Sequence, residues 1–202
     1  MRSLFAVFLI LLASLVSTGP VQPLSAADLY HGQVVDEETG QPLVGAVITV
    51  IWSKAPLVHL ASPRYFQSAQ ETVTDSQGKF ELLVSPGVDW NPFTFVINEP
   101  EIVIYQPGYE PVYYAWLVRM RFKSHAEFAA ALKKGFVVKL SKLKTEAEKL
   151  QFVGFSRLVL GIDIPSGAIP LLKAAINRHS VAIGIPPAFK YLGGPYNDNS
   201  SS

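Results

Sequence analysis

The sequence contains no cysteine among its 202 residues. Disulfide bonds, a thiolate nucleophile and cysteine-ligated zinc are therefore all excluded. The fold must rest on a hydrophobic core, and a hydrophobic content of 49% is enough to build one in a chain of this length. These values predict one domain of ordinary size, with room for an appendage.

A surplus of basic residues is also missing. Lys and Arg together number 17 and Asp and Glu 16, which gives a net charge of +1. Proteins that bind the phosphate backbone of nucleic acid need a strongly basic face. Nucleic acid is therefore not an expected partner.

The first 27 residues have the organisation of a targeting segment. Arg2 precedes an apolar run over residues 4–16, and Ser25-Ala26-Ala27 supplies small residues before Asp28. The run is shorter than the roughly 20 apolar residues of a membrane span. This favours a cleaved Sec signal peptide at 1–27 over a retained anchor, and no integral span in the mature chain.

The lack of cysteine also bears on the compartment. Small domains secreted through the endoplasmic reticulum usually carry disulfides, so a secreted chain without them is more typical of the bacterial periplasm or exterior. We therefore expect a secreted or periplasmic bacterial protein. Residues 191–202 are Gly, Asn, Asp and Ser with little to bury, and are predicted to be disordered.

The stretch 31–52 predicts two strands joined by a polar turn. Ala46, Ile48 and Val50 alternate with other residues and so fall on one face of the second strand. The acidic segment 36–40 ends in a glycine that can adopt the positive φ of a turn. We predict a hairpin on which the remaining strands pack.

Further strands follow at the spacing of a β-sandwich. The proline-containing stretch 53–69 predicts a long loop, and 71–84 a second hairpin around Asp75-Ser76-Gln77-Gly78. The remaining predicted strands are 93–98, 102–105, 112–118 and 136–140, with a short helix that begins at the capping box Ser124-His125-Ala126-Glu127.

From residue 143 the periodicity becomes helical. Thr145-Glu146-Ala147-Glu148 is a second capping box, and Pro170 is allowed in the first turn of a helix over 171–178. Two helices of this length are marginal in isolation. Residues 143–190 are therefore predicted to pack on the sandwich or on a partner.

Six motifs occur in order along the chain: Gly32-Gln33-Val34-Val35-Asp36, Thr39-Gly40-Gln41-Pro42-Leu43, Gly45-Ala46-Val47-Ile48, Thr72-Val73-Thr74-Asp75, Gly78-Lys79-Phe80 and Pro107-Gly108-Tyr109-Glu110-Pro111. Their order resembles that of the carboxypeptidase regulatory-like domain, over about residues 29–140. The resemblance implies a mainly β fold at 28–142: a transthyretin-like, seven- to eight-stranded antiparallel β-sandwich related to the carbohydrate-binding-like sandwiches. The short inserted helix and the two C-terminal helices depart from that family, as does the stretch 53–69. The resemblance also implies a usually non-catalytic domain found in many unrelated proteins, so it informs about fold more than about function.

Residues that could carry catalysis do not form a known pattern. None of the four histidines lies in an HxxE or HExxH zinc motif, and His125 and Glu127 are two residues apart, on different sides of a helix. The SxxK pattern is matched in residue types alone by Ser141-Lys142-Leu143-Lys144. The GxSxG pattern is incomplete, because Gly154-Phe155-Ser156 is not followed by its last glycine. We expect no catalytic, cofactor-binding or metal-binding residue, and no cofactor. The histidines weighed are His31, His59, His125 and His179.

Aromatic residues are concentrated in one part of the chain. One interpretation is a platform that stacks on sugar rings, and the other is a core with polar atoms at its rim. The residues are Tyr105, Tyr109, Tyr113, Tyr114 and Trp116, with Trp90 in a preceding loop. One short loop with the acidic residues 36–38 does not direct at a single ion the six or more oxygens that calcium requires, which favours a solvated turn.

Taken together, the sequence favours a secreted, non-enzymatic β-sandwich that binds or scaffolds a protein partner or another component of the cell envelope. The helices after residue 143 are the best candidate for a partner surface. Polysaccharide binding through surface aromatics is the first alternative, and a small hydrolase with an unrecognised site is the second.

Overall fold

A computed structural model describes residues 27–57, 64–155, 164–165, 167–187 and 189. This part of the chain is mainly β, as predicted. Its strands are β1 (Asp28–Asp36), β2 (Val47–Pro56), β3 (Tyr65–Val73), β4 (Lys79–Val84), β5 (Thr94–Val96), β6 (Glu101–Tyr105) and β7 (Phe136–Leu140). Its helices are α1 (Tyr114–Arg119), α2 (His125–Leu132), α3 (Glu146–Phe155) and α4 (Pro170–Ala182).

The strands form two sheets. In the first the order is β4-β1-β7, and in the second β2 is central and pairs with β3, β5 and β6. β1 is antiparallel to β4 but parallel to β7, with Val34 opposite Val138. The all-antiparallel expectation is therefore wrong at this pair. Parallel strands need a crossover connection, which the chain between β1 and β7 supplies.

Both predicted hairpins form their turns but not their strand pairs. The Gly40 N–H donates to the Asp36 carbonyl at 2.9 Å, and the Gly78 N–H donates to the Asp75 carbonyl at 3.0 Å. However, β1 and β2 belong to different sheets, and so do β3 and β4. Turn formation is decided by local residues, whereas pairing is decided by which faces meet across the core. Each of these turns therefore carries the chain from one sheet to the other.

The prediction of a loop at 53–69 is wrong for the residues of this stretch that the structure describes. β2 continues to Pro56, β3 begins at Tyr65, and the two strands pair antiparallel with Lys54 opposite Tyr65. Pro56 is the last residue of β2, and proline is tolerated at such positions more readily than within a central strand. The hairpin of this region is thus β2–β3, whose connection at 58–63 lies outside the described residues.

The inner faces of both sheets share one hydrophobic cluster. Phe80, Leu82 and Val84 are buried, as their alternation in β4 predicts. Alternate residues of β2 and β6 contribute from the other sheet, and both α1 and α2 add side chains. The cluster also includes Tyr30, Val34, Ala46, Ile48, Val50, Trp52, Ile102, Ile104, Trp116, Leu117, Phe128, Leu132, Val138 and Leu140.

The strand predicted at 112–118 is wrong, because this segment contains helix α1. Val112 still bridges to Ile104 of β6, but the chain turns helical at once afterwards. Trp116 and Leu117 are both buried, and adjacent buried residues fit one side of a helix rather than one face of a strand. The Trp116 ring lies 5.7 Å from the Phe128 ring of α2, so packing between helices overrides β propensity here.

The predicted helix starts are confirmed. Ser124 Oγ accepts the Glu127 N–H at 3.2 Å at the start of α2, and Thr145 Oγ1 accepts the Glu148 N–H at 3.2 Å at the start of α3. α4 begins at Pro170, as predicted. Gly135, with φ of 81°, follows α2 and leads into β7, whose bounds match the prediction.

Helix α4 packs on the second sheet, against the face that points away from the shared core. Leu172, Ala175 and Ile176 of α4 form a second cluster with residues of β2 and β6. This covering explains why β2 is buried continuously from Val47 to Ser53. None of the described helices has both the length and the apolar character needed to cross a bilayer. The predicted signal peptide up to residue 26 and the tail 191–202 lie outside the described part of the chain.

Candidate functional site

The aromatic cluster predicted from the sequence belongs largely to the interior. Tyr105 is 2% exposed and Trp116 is 0% exposed. The Tyr105 hydroxyl lies 2.6 Å from Nδ1 of His179, and the Tyr109 hydroxyl donates to Asp36 Oδ2 at 2.9 Å. The core interpretation is therefore confirmed for Tyr105 and Trp116, and a sugar platform built on these two residues is wrong. Their polar atoms lie inside the core and not at its rim, since Trp116 Nε1 is buried with no hydrogen-bond partner in the part of the chain that the structure describes.

Trp90 stands apart from that cluster. Its exposed fraction is 88%, and that of Phe93 is 71%. Both lie between β4 and β5 in a segment that we call the aromatic loop, residues 88–93. Single exposed apolar residues are normal on a protein surface, but neighbouring large ones are typical of an interaction site.

A buried carboxylate holds the aromatic loop in shape. The Asp89 side chain is 7% exposed. Its Oδ1 accepts from Lys54 Nζ and from the Asn91 N–H, each at 3.2 Å, and its Oδ2 accepts from the Thr94 hydroxyl. Asn91 Oδ1 accepts the Phe93 N–H at 3.0 Å. The two exposed aromatic side chains therefore project from a hydrogen-bonded backbone.

Asp89 is ionised at neutral pH. Burial by itself would raise the pKa of this carboxyl, but hydrogen bonds from Thr94 and Asn91 and the ammonium group of Lys54 outweigh burial and hold the pKa below its ordinary value. The opposite charges of Lys54 and Asp89 therefore cancel within the ion pair.

Other exposed apolar side chains extend this surface. The Leu57 N–H donates to the Phe93 carbonyl at 2.9 Å, which places the two residues side by side. Phe95 of β5 lies opposite Ala55 of β2, two positions from that pair. Leu57 and Phe95 are both exposed. We call Leu57, Trp90, Phe93 and Phe95 the aromatic tip.

A cleft of about 270 Å³ is the second candidate site. Its walls come from the residue before β3, the first residues of β6 and the start of α2. The lining residues are Arg64, Glu99, Glu101, Ile102, Val103, Tyr113 and His125. The side chain of Tyr114, which belonged to the predicted cluster, lies outside the described part of the structure.

Two side chains of the cleft join α2 to β6. Nδ1 of His125 accepts the Ile102 N–H at 3.2 Å, so the proton of the neutral ring is assigned to Nε2. Glu99 Oε1 accepts the N–H of Ala126, in the first turn of α2, at 3.2 Å. These contacts position the helix.

The cleft also shifts protonation equilibria. Burial raises the pKa of Glu101, against the opposing effect of Arg64, whose guanidinium lies 3.8 Å from the carboxylate. Burial lowers the pKa of His125, and Glu99 acts in the opposite direction. A neutral imidazole and a carboxyl group of raised pKa are the groups that proton transfer uses. Among the described residues, these are groups that the hydrolase alternative could use as acid and base.

The structure does not bring the other candidate catalytic residues into a site. Ser141 Oγ donates to Glu37, and Lys144 forms an ion pair with Glu38, so the SxxK residues both bind the acidic turn. Glu127 accepts the Lys123 N–H at 2.7 Å as part of the helix cap. Within the described ranges, no group of three His, Cys, Asp or Glu side chains could hold a metal ion.

The remaining histidines have separate environments. His31 lies on β1 opposite Glu81, and a Cβ atom on Gly135 would lie 2.9 Å from its Nε2. His179, a residue of α4, is buried beside Tyr105 of β6. His59, like Ser156 of the incomplete GxSxG match, lies outside the described residues.

The acidic turn is only partly solvated, because Asp36 is buried. Its Oδ1 accepts the N–H groups of Thr39 at 2.8 Å and Glu38 at 2.9 Å, and its Oδ2 accepts from Tyr109. The Thr39 N–H is the main cause that holds the pKa of Asp36 below its ordinary value, against the effect of burial. The oxygens of this turn are thus used to shape the chain.

The sequence does not predict the aromatic loop as a separate feature, because Trp90 lies close in the chain to aromatic residues that it does not join in the fold. One local signal could have separated them. Asp89-Trp90-Asn91-Pro92 places Asp and Asn on either side of a tryptophan, and such residues form turns by bonding their own backbone. The residues next to Trp90 do not, however, predict that its indole is exposed to solvent.

No family model and no curated protein matches this chain. Among solved structures, a 9R-lipoxygenase from Cyanothece PCC8801 is similar at 19% identity, with a TM-score of 0.26, over 48% of this chain and 14% of that chain. A likeness at that TM-score supports no statement about the fold or activity of this protein.

Proposed function

We propose that the chain is a secreted or periplasmic bacterial binding module, without catalytic activity, that contacts its partner through the aromatic tip. Its frame is proposed to be a transthyretin-like β-sandwich of the carboxypeptidase regulatory-like type, with residues 1–27 removed as a signal peptide. The observation that carries the proposal is Trp90, 88% exposed on a loop that the buried Asp89 holds in shape.

The exposure of these side chains lowers the free energy that the loop could contribute to folding. Burying a large apolar side chain contributes about 1.5–3 kcal/mol to folding, and the aromatic loop forgoes this contribution at both Trp90 and Phe93. The hydrogen bonds of Asp89 and Asn91 fix the loop so that these side chains face water. Exposed tryptophan on a pre-organised backbone is typical of binding hot spots.

The cleft supports a role without catalysis. His125 and Glu99 bind backbone N–H groups that hold α2 against β6, and this use explains their position. We therefore assign the cleft to stability and the aromatic tip to binding.

Retention of the purified protein on a cell-envelope fraction tests the proposal. We expect Trp90→Ala and Phe93→Ala each to lower retention by about tenfold, the effect of losing one buried hot-spot side chain. Leu83→Ala is the matched control, since Leu83 is an exposed apolar residue of the other sheet. Equal retention of all three variants would contradict the proposal.

Polysaccharide is the alternative partner, and the flat indole of Trp90 is the observation that favours it. Stacking on a sugar ring needs a planar face, so Trp90→Phe should keep part of the retardation by soluble polysaccharide while Trp90→Ala loses it. Affinity electrophoresis in polysaccharide gels measures both variants. Unretarded wild-type protein would remove this alternative.

A further inference from the structure

We propose that the aromatic tip inserts into the interface of a lipid bilayer. This inference rests on the proposed function, because it names the partner of the same surface. Its basis is a contrast within the aromatic loop: the Asp89 carboxylate and the Val88 carbonyl form hydrogen bonds within the protein, while Trp90 and Phe93 face water.

Hydrogen bonds inside the protein occupy several polar atoms of the residues that flank Trp90. The Asp89 carboxylate accepts from Lys54, Asn91 and Thr94. The Val88 carbonyl accepts from Gln67 Nε2 at 3.3 Å. A sugar requires hydrogen-bond partners next to the stacking ring, whereas hydrocarbon requires only apolar area. The loop therefore suits lipid better than sugar.

The charges beside the tip are balanced. Lys54 pairs with Asp89 at 3.2 Å, and Arg64, which precedes β3, pairs with Glu101 at 3.8 Å. Proteins that dock on membranes through basic patches depend on anionic lipid and are weakened by salt. This tip lacks a net positive charge from these pairs, so the geometry points to a zwitterionic surface and to binding that salt does not weaken.

The side chains themselves fit a bilayer interface. Tryptophan is enriched at the level of lipid headgroups because its ring is apolar and its N–H is polar. Phe93, three residues after Trp90, is hydrogen-bonded through its carbonyl to the Leu57 N–H, and these two exposed side chains supply the apolar part. An exposed, projecting pair of aromatic rings enters a deformable surface without needing a complementary groove.

Tryptophan fluorescence gives a readout that belongs to the tip. The chain has three tryptophans, and Trp52 and Trp116 are buried, so a quencher carried by the lipid acyl chains reaches only Trp90. Full-length protein is mixed with phosphatidylcholine vesicles that contain dibrominated acyl chains. We expect quenching of Trp90, a blue shift of its emission, and the same result at low and high salt.

Variants distinguish insertion of the aromatic tip from other ways in which the protein could attach to vesicles. Phe93→Ala and Asp89→Ala should each lower vesicle partitioning through the tip by about tenfold, the first by loss of apolar area and the second by loss of the loop geometry. Leu83→Ala should leave it unchanged. The apolar residues 4–16 could hold a full-length chain on vesicles, so the quenching of Trp90 and its change in the Phe93 and Asp89 variants, and not vesicle binding itself, are the readout of the tip.

The outcomes are distinct. Quenching of Trp90 that falls in the Phe93 and Asp89 variants supports the inference, and vesicle binding without that quenching overturns it. If polysaccharide protects Trp90 from aqueous acrylamide while vesicles do not quench it, the lipid inference is wrong and the proposed binding function stands. If neither protects Trp90 and no variant changes retention on the envelope fraction, both are wrong.

Discussion

Glu71 is the single residue that does most to fix helix α4 on the second sheet. Its Oε2 accepts the Leu171 N–H at 2.8 Å, and its Oε1 accepts the Leu172 N–H and the Thr49 hydroxyl, each at 2.9 Å. The first N–H groups of a helix have no partner within the helix. Ile169 occupies the cap position and offers no side-chain hydrogen bond. β3 therefore supplies the cap.

We expect Glu71→Ala to lower the free energy of unfolding by about 1–2 kcal/mol, because it leaves two helix N–H groups and a buried hydroxyl without their partner. Urea denaturation measures the change. Glu81→Ala, on the exposed side of β4, is the control and should stay within about 0.5 kcal/mol of wild type. Equal midpoints for the two variants would show that the cap does not contribute.

The tryptophans show what the sequence could and could not predict of the candidate site. Trp90 and Trp116 are the same residue type in neighbouring segments, yet one is 88% exposed and the other 0%. Trp116 is buried because α1 turns it towards Phe128 of α2, which is a contact between helices. Trp90 is exposed because Asp89 is occupied by Lys54 from another strand. Neither contact is encoded in the residues next to the tryptophan.

At the scale of elements, His179 is a buried histidine on the side of α4 that faces the second sheet. It is 2% exposed, its Nδ1 lies 2.6 Å from the Tyr105 hydroxyl, and its Nε2 has no hydrogen-bond partner in the part of the chain that the structure describes. Burial lowers the pKa of His179, and Lys149 of α3 acts in the same direction. The folded state therefore favours the neutral ring.

The stability of the protein should consequently depend on pH. The unfolded chain binds a proton at His179 at a higher pH than the folded chain does, so the free energy of unfolding falls as the pH drops below about 6.5. Urea denaturation at about pH 7.5 and about pH 5 measures the difference. His179→Leu should reduce that difference without abolishing it, because burial also lowers the pKa of His125. An undiminished difference in the variant would contradict the assignment.

Secondary structure was predictable wherever its cause is local. The caps at Ser124 and Thr145 and the turn at Gly78 each depend on residues within a few positions, and all three form. Strand pairing depends on residues far apart in the chain. β1 pairs with β4 and β7 rather than with β2, although the sequence between β1 and β2 has the composition of a hairpin turn.

At the scale of the whole molecule, one segment joins the two sheets. Val112 bridges to Ile104 of β6, and Tyr109 bridges to Lys142, which follows β7. The Glu110 N–H donates to the Ser141 carbonyl at 2.8 Å. Since both sheets also share one core, we expect them to unfold together in one transition.

Gly32 of β1, which lies between β4 and β7, offers a test of whether the two sheets unfold together. A Cβ atom at Gly32 would lie 2.3 Å from the Phe136 carbonyl oxygen of β7 and 3.1 Å from the Phe80 ring of β4. The carbonyl belongs to a strand backbone and cannot turn away. We expect Gly32→Ala to lower the free energy of unfolding by about 1–3 kcal/mol or to prevent folding, as overpacking does.

Gly167→Ala is the matched control for this substitution, since a Cβ atom there has no described residue within 4 Å, and its stability should stay within about 0.5 kcal/mol of wild type. Far-UV circular dichroism follows both sheets, while the fluorescence of Trp52 and Trp116 follows the core. Strain between β1 and β7 should destabilise both sheets, because they share one core. The urea midpoints of the two signals should therefore decrease together in Gly32→Ala. Separate shifts would mean that the sheets unfold independently, despite their common cluster.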